Sequence, residues 1–366
     1  MSEYAVGLVG TGRNPDDPGP EGFGMAYRHA DAYGAIEGCE VVACADIVRE
    51  NAEAFAGEYG IDDHVYEDHE ALLAEAAPDV VSICVPPAAH AEIAIDCARH
   101  PAVRAIHCEK PMALTWGGAR EMAMAAWRHD TGLTFNHQRR FGRPFRAAKE
   151  LLDSGAIGDL ERVAFAANNV YDYGSHSIDL CGYFVDETPA EWVLGGIDYR
   201  EEDVYFGTHN ENQAILQWEY ENGVRGLGAT GPGEGLVGAH HRLVGSAGEI
   251  EVGPHDADAA LRVRRDGEGW EAIDTGGEDM HGPGYIDRAI RDVVAAIGSD
   301  RESELRARNA LNATEIIFGC WESSRRRGRV EFPLAIDDNP LEAMVEAGDL
   351  QPAPPEEDEQ FTEDVS

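Results

Sequence analysis

Lys110 is one of just two lysines in a chain of 366 residues, Lys149 being the other. Arginine supplies the remaining 27 positive charges, and the formal net charge is -40. A lysine kept where lysine is almost eliminated has a specific task. Lys110 lies in Ile106-His107-Cys108-Glu109-Lys110-Pro111, where an apolar strand runs into a proline. An ammonium is a compact charge whose pKa moves readily on burial, which suits proton-transfer chemistry. A second cluster is Tyr171-Asp172-Tyr173-Gly174-Ser175-His176-Ser177-Ile178-Asp179-Leu180. Ser175 could cap a helix with His176 in its first turn. Asp172, four residues before, or Asp179, three after, could hold one imidazole nitrogen and leave the other free to move a proton. A helix-capping segment with a solvated histidine fits the same residues.

The elements around Lys110 alternate. Apolar runs at Tyr4–Val9, Val41–Ala45, Val80–Val85, Val103–Cys108 and Leu133–Phe135 read as strands. Amphipathic stretches at Met25–Ala35, Glu50–Tyr59, His69–Ala76, Ala89–Arg99 and Trp116–His129 read as helices, the last capped by Thr115. Continuous apolar strands alternating with helices predict an α/β unit with a doubly wound parallel sheet over residues 1–135. Gly7-Leu8-Val9-Gly10-Thr11-Gly12 follows the first strand, where a dinucleotide fold places its tight turn and its pyrophosphate. Pro15 stands where a third glycine belongs, so Gly22 or Gly24 resumes the pattern after an insertion at residues 14–22. The second strand ends at Asp46, a carboxylate placed for ribose hydroxyls and unfavourable to a 2′-phosphate. That predicts NAD, with NADP not excluded because Arg49 follows one turn later. A helix N-cap is the plainer reading of Asp46.

After residue 140 the pattern changes. A helix over Phe145–Asp153 leads into strands at Leu160–Ala167, Glu191–Asp198, Asn212–Tyr220, Val224–Thr230, His240–Val244, Glu249–Val252 and Leu261–Arg264, with helices near Tyr285–Ile297 and Ser303–Ser324. Turns at Glu221-Asn222-Gly223 and Gly245-Ser246-Ala247-Gly248 mark hairpins. Residues 136–334 therefore predict an α+β domain on one large, mostly antiparallel open sheet. Residues 335–366 read as an acidic, disordered tail.

Composition removes several classes. The last thirty residues hold eleven carboxylates and no basic residue, and without them the body still stands at -29. Such a field repels nucleic acid and anionic membrane. Near-absence of lysine points to adaptation to molar salt, where the Debye length is about 3 Å and self-repulsion is screened. No run approaches the roughly 18 apolar residues of a membrane span. A strand beginning within three residues of the first residue predicts that no signal peptide precedes it. Seven cysteines without a C-x-x-C pair predict reduced thiols in a cytoplasmic protein, with no zinc site.

Taken in order, Gly10-x-Gly12, Asp46, Asp79-Val80-Val81-Ser82-Ile83-Cys84-Val85-Pro86-Pro87-Ala88-Ala89-His90, Glu109-Lys110-Pro111 and Asp172-x-Gly-x-His176-x-x-Asp179 resemble the glucose-fructose oxidoreductase / inositol dehydrogenase (Gfo/Idh/MocA) family. Arg139-Arg140-Phe141, Gly155-Ala156-Ile157-Gly158, Gly245-Ser246-Ala247-Gly248 and Gly328-Arg329-Val330-Glu331-Phe332-Pro333 extend the likeness over residues 4–333. The resemblance implies that Gly10 and Gly12 face the pyrophosphate, with Arg13 beside them, and that Asp46 faces the ribose. It places Val85, Pro86, His90 and Glu109 on the nicotinamide side and Lys110, often before a cis proline, beside the reacting carbon. Asp172 and His176 then meet the substrate from the second domain. Pro87 departs from the polar residue that relatives often carry.

The chemistry implied is oxidation of a secondary alcohol on a sugar or polyol. His176 takes the O–H proton, Lys110 steadies the oxygen and relays the proton, and Asp172 orients His176. Asn136, His137 and Arg140, with Asn168 and Tyr171 opposite, could line the cleft or equally the domain interface. His240 and His241, in an alternating strand, should point to opposite faces, and no metal is expected. An NAD-dependent glycoside hydrolase or a non-catalytic NAD- or sugar-binding regulator would share much of this pattern. Relatives associate through the open sheet, which implies a homodimer or homotetramer.

Overall fold

The structure, a computed structural model, describes residues 4–13, 24–61, 63–205, 207–282 and 284–354. The whole insertion at residues 14–22, Gly22 included, lies outside the described residues. Six parallel strands form the first sheet: β1 (Tyr4–Val9), β2 (Cys39–Ala45), β3 (Val65–Tyr66), β4 (Val80–Ile83), β5 (Ala105–Cys108) and β6 (Gly132–Phe135), in the order β3-β2-β1-β4-β5-β6. All four residues of β4 and all four of β5 are buried, as expected of strands covered on both faces. The covering helices are α1 (Met25–Gly34), α2 (Arg49–Tyr59), α3 (His69–Ala76), α4 (Pro87–Arg99) and α5 (Trp116–His129). Thr115 caps α5 as the sequence predicts, its hydroxyl accepting from Gly118 N at 3.1 Å. Pro87 opens α4 as its first residue, a position where a missing N–H costs nothing.

A 3₁₀ turn at Gln138–Phe141 leads through α6 (Arg143–Asp153) into β7 (Leu160–Ala167) and α7 (Gly174–Phe184). Ten more strands follow: β8 (Ala190–Asp198), β9 (Val204–Tyr205), β10 (Thr208–His209), β11 (Gln213–Tyr220), β12 (Arg225–Thr230), β13 (Ala239–Gly245), β14 (Gly248–Pro254), β15 (Leu261–Arg265), β16 (Glu271–Ala272) and β17 (Val330–Glu331). Nine of the strands from β7 onward make one sheet ordered β16-β15-β14-β13-β7-β12-β11-β8-β17, antiparallel except between β7 and β12. Along β11 every second residue is buried (Ala214, Leu216, Trp218, Tyr220), which fixes the register of one covered face. That face packs against α7 and α9 (Ala307–Arg326). The opposite face leaves Leu194 and Ile215 about half exposed. Helix α8 (Tyr285–Ala296) returns to pack on α1. No disulfide joins any of the seven cysteines. Among the described residues no helix is long and apolar enough to cross a membrane.

The expected disordered tail is a correction through residue 354. Asn339 caps α10 (Pro340–Glu346), its side chain accepting from Leu341 N and Glu342 N, and buries Leu341 and Met344 against the core. Asp337 and Asp338 pair with Arg120 and Arg325, and the Trp116 indole donates to Leu334 O at 3.1 Å. The acidic composition hid a helix of seven residues whose apolar side is only two or three residues wide. Leu341 is fully buried, so Leu341→Ala should cost about 2–4 kcal/mol, read as a lower urea midpoint. An unchanged midpoint would mean that α10 contributes nothing to stability.

Candidate active site

The sheet order reverses between β1 and β4, and the turns after both strands meet at the carboxyl edge, where open α/β sheets bind ligands. Gly10 has φ +84°, and a Cβ there would lie 2.5 Å from Val85 Cγ1 and 2.8 Å from Val85 N. No other residue fits, so Gly10 and Val85 form one surface. Gly10 N–H donates to Ala45 O at 2.8 Å. Asp46, half-buried, accepts from Gly12 N at 2.9 Å, Thr11 Oγ1 at 3.1 Å and Val48 N at 2.8 Å. It therefore ties the glycine turn to the end of β2, while Val48 holds the N-cap position of α2 with no side-chain cap. Asp46 is not the N-cap. Ile47 is 91% exposed beside it, an apolar face that sequence reasoning missed and that suits an adenine ring. Arg13 and Pro86 are exposed at the same rim. These features fit a dinucleotide: Gly10 and Gly12 for the pyrophosphate, Asp46 for the ribose, Val85 and Pro86 toward the nicotinamide.

His90 departs from expectation. It is fully buried, with Nε2 2.8 Å from Val85 O and Nδ1 3.0 Å from Pro111 O. It braces the turn after β4 to the turn after β5 and touches no open surface. Glu109 is likewise occupied within the protein. Its Oε1 receives His29 Nε2 at 3.0 Å and Asn136 Nδ2 at 2.7 Å, and its Oε2 receives Lys110 N at 3.2 Å. Asn136, expected at the cleft, has no exposed surface. His29, on α1, also meets Ser82 Oγ at 2.8 Å, which explains a serine inside an otherwise apolar strand. Burial opposes charge on both partners. Cys84 and Glu109 nonetheless push His29 up to about 10, and His29 with Asn136 and Lys110 brings Glu109 down to about 2.

This anchored turn presents Lys110, joined to Pro111 by a cis peptide bond. Lys110 Nζ donates to Asp172 Oδ1 at 2.7 Å and to Asp172 O at 3.2 Å. The pair keeps 21% and 14% of its side-chain surface exposed, so it opens on a cleft. Asp172 is thus committed to Lys110, which corrects its expected role on His176. Its segment is held firmly. Val170 N donates to the buried Glu211 at 2.7 Å, Tyr173 N donates to Asn169 Oδ1 at 3.0 Å, and Ser175 Oγ donates to Asp172 O at 3.0 Å. Helix α7 starts at Gly174, where a Cβ would meet Asn169 O at 2.4 Å, and Ser175 is not its cap. Glu211, which the sequence did not flag, is pushed up to about 7 by burial although Trp321, Val170 and Thr230 donate to it.

His176 is 4% exposed, and its Nδ1 has no partner among the described residues. Burial, then the charges of Arg139 and Lys110, then His137 and His281, hold it well below 6.5. It is a neutral acceptor. Its ring lies 5.4 Å from that of His137, edge to face. Two further expected ligands are structural. Tyr171 is 2% exposed and donates to Ala113 O at 2.9 Å. Arg140, 1% exposed, forks onto Asp179 at 2.5 and 2.7 Å and reaches Glu187, so Asp179 is taken as well. The residue before it, Arg139, faces the other way onto His240 and His281. His240 and His241 do not diverge: their Nδ1 atoms are 2.7 Å apart. The β13–β14 ladder skips His240, opposite Gly253 at φ +58°, which frees the ring from strict alternation. One group with metal-ligand spacing occurs among the described residues, His69, Glu70 and Asp96 on α3 and α4, outside this cleft.

The His29–Glu109 pair sets a pH window. His29 is raised from 6.5, so its contribution is complete below about pH 6.5 and is lost as pH rises through about 10. Glu109 is lowered from 4.5, so its contribution is complete above about pH 4.5 and is lost as pH falls through about 2. Urea midpoints against pH should plateau between these limits and fall on both sides. His29→Gln should flatten the alkaline fall; an unaltered alkaline slope would rule His29 out as its source.

Residues 5–137 match the family model for the oxidoreductase family with an NAD-binding Rossmann fold, Gfo/Idh/MocA. The chain is 32% identical over 236 residues to an inositol 2-dehydrogenase of Rhizobium meliloti (strain 1021), covering 57% of this chain and 67% of that protein. It is 30% identical over 162 residues to a D-glucoside 3-dehydrogenase of Escherichia coli (strain K12), covering 43% of this chain and 42% of the relative, so that match spans less than half of the curated protein. An oxidoreductase from Agrobacterium radiobacter, solved in complex with NAD+, L-tartaric acid and magnesium, superposes with a TM-score of 0.72 at 19% identity over 90% of this chain and 98% of its own. The glycine turn, the buried Glu109 that anchors Lys110 and these matches together make the chain a member of the Gfo/Idh/MocA family of NAD-binding oxidoreductases.

Proposed function

We propose that this protein is an NAD-dependent dehydrogenase that oxidises a secondary alcohol of a sugar or polyol. The observation that carries the reading is the Lys110–Asp172 pair, 2.7 Å apart and partly open, at the carboxyl edge of the sheet that carries the glycine turn. Asp172 takes two of the three ammonium protons, and the remaining Lys110 N–H is free to donate to the substrate oxygen as negative charge develops on it. His176, kept neutral, accepts the alcohol O–H proton. Bound NAD supplies the acceptor for the hydride. The Asp46 carboxylate disfavours a 2′-phosphate, so NAD should outperform NADP. The acidity of the chain supports activity in molar salt, and its seven cysteines, none in a disulfide, support a cytoplasmic setting.

Absorbance at the NADH band tests this with a panel of sugars and polyols, in dilute and in molar KCl. Lys110→Ala and His176→Ala should each lower turnover by about 10²–10⁴-fold. Near-normal turnover in either variant removes that residue from the mechanism, and glycoside cleavage without net NADH would replace the dehydrogenase by a hydrolase.

The exposed face of β8 and β11, with Leu194 and Ile215, supports a homo-oligomer joined through that sheet. Light scattering after size exclusion should give a dimer or tetramer for the native chain and a smaller species for Ile215→Glu. The same mass for both would place the contact elsewhere.

A further inference from the structure

Three arginines are buried among the described residues: Arg139, Arg140 and Arg262, at 6%, 1% and 9% exposure. Arg140 grips Asp179 and Glu187, and Arg262 grips Glu251 and Asp256. Arg139 has no carboxylate partner among the described residues, in a chain with 69 acidic side chains. Its Nη1 donates to His240 Nε2 at 2.9 Å, its Nη2 donates to His281 Nε2 at 2.8 Å, and its Nε has no acceptor.

A guanidinium only donates and keeps its proton. Both imidazoles must therefore present a lone pair, which makes them neutral. The remaining contacts agree: His240 Nδ1 then donates to His241 Nδ1 at 2.7 Å, and His241 Nε2 donates to Ser177 O at 2.9 Å. This chain fixes three tautomers and cancels none of the arginine's charge. Lys110 is balanced by Asp172, so Arg139 is left as an uncompensated buried cation among the described residues, which is costly unless an anion joins it.

Arg139 lies two residues after His137, whose ring is 5.4 Å from that of His176. Tyr173 and Asp172 are the ionisable groups that act on Arg139 most, and its charge is the first of those that hold His176 down. Buried atoms without a partner occur along its turn, at His137 Nδ1, Gln138 Oε1 and Arg139 Nε, and at Nδ1 of His176. Native interiors rarely leave so many polar groups unmet.

We propose that Arg139 binds an anionic group of the substrate beside the alcohol that Lys110 and His176 engage, so that the substrate is a polyhydroxy acid and not a neutral sugar. A single guanidinium matches a single negative charge, which favours a carboxylate over a phosphate dianion. The anion also offsets the charge that keeps His176 a weak base, so the group that is recognised helps to prepare the base. This inference rests on the dehydrogenase reading for the alcohol, but the anion site itself does not need it.

Calorimetric titration of the NADH-loaded protein, which cannot oxidise an alcohol, tests the site with matched pairs and without turnover, and the NAD-loaded protein then reports NADH formation. The pairs are D-glucuronate with D-glucose, D-galacturonate with D-galactose, and D-gluconate with sorbitol, with D-glucose 6-phosphate as the phosphate arm. At least one acid should bind about 10–100-fold more tightly than its neutral partner, the range of a charged hydrogen bond. The preference should collapse in Arg139→Gln and return in part in Arg139→Lys, which also guards against misfolding. Tight binding of the phosphate alone, lost in Arg139→Gln, would keep the anion site and assign phosphate to it. If no acid outbinds its partner, or Arg139→Gln weakens both members of a pair equally, the proposal fails. Acid binding without any NADH formation would instead count against the dehydrogenase reading.

Discussion

Glu109 is a carboxylate that the fold buries and then refuses to leave alone. Every oxygen it has is used by the protein: His29 from α1, Asn136 from the end of β6, and the backbone N–H of Lys110. A buried charge is tolerated only when its partners are in place, so three separate elements must be correctly seated before this one side chain is stable. The lysine that follows it inherits that precision. His90 adds a second tie, from the turn after β4 to the carbonyl of Pro111, and Gly10 brings the first turn against Val85. Cofactor turn, anchored lysine and substrate cleft are therefore parts of one rigid edge.

The far wall of the cleft is built on another logic. Asp172 sits on a segment pinned by Glu211, Asn169 and Gly174, and it meets Lys110 by a single ion pair. Behind it, arginine and histidine are set against each other. Arg140 is saturated by two carboxylates, while Arg139, next in the chain, is given only neutral rings. Adjacent residues on a 3₁₀ turn point about 120° apart, and that geometry sends the two guanidinium groups to different partners.

Much of this was legible in the chain. Five of the six strands of the first sheet follow from continuous apolar runs, β3 with its two residues being the exception, β7 was placed to the residue, and the two hairpin turns were marked by their glycines. Lys110 and Asp172 could be singled out, one by the rarity of lysine and the other by its spacing of four residues before His176. Partnership was not legible. Whether Asp172 holds His176 or Lys110, and whether Arg140, Asn136, Tyr171 and His90 face a ligand or the interior, depends on groups brought together from distant positions. Spacing along one segment carries no information about them. His29 was invisible for the same reason, its partners lying 53 and 80 residues away. Helix α10 was missed because seven residues with a narrow apolar side look like solvated acid by composition.

The segment before α10 closes a loop in time as well as space. Gly117 N donates to Asp337 O at 2.9 Å, Asn339 Nδ2 donates to Leu114 O at 3.0 Å, and the Trp116 indole donates to Leu334 O. The opening turn of α5, early in the chain, is thus completed by residues made some 200 positions later. On the ribosome the nucleotide-binding half emerges first and forms its sheet, yet one of its helices waits with unmet donors for the last part of the chain to arrive.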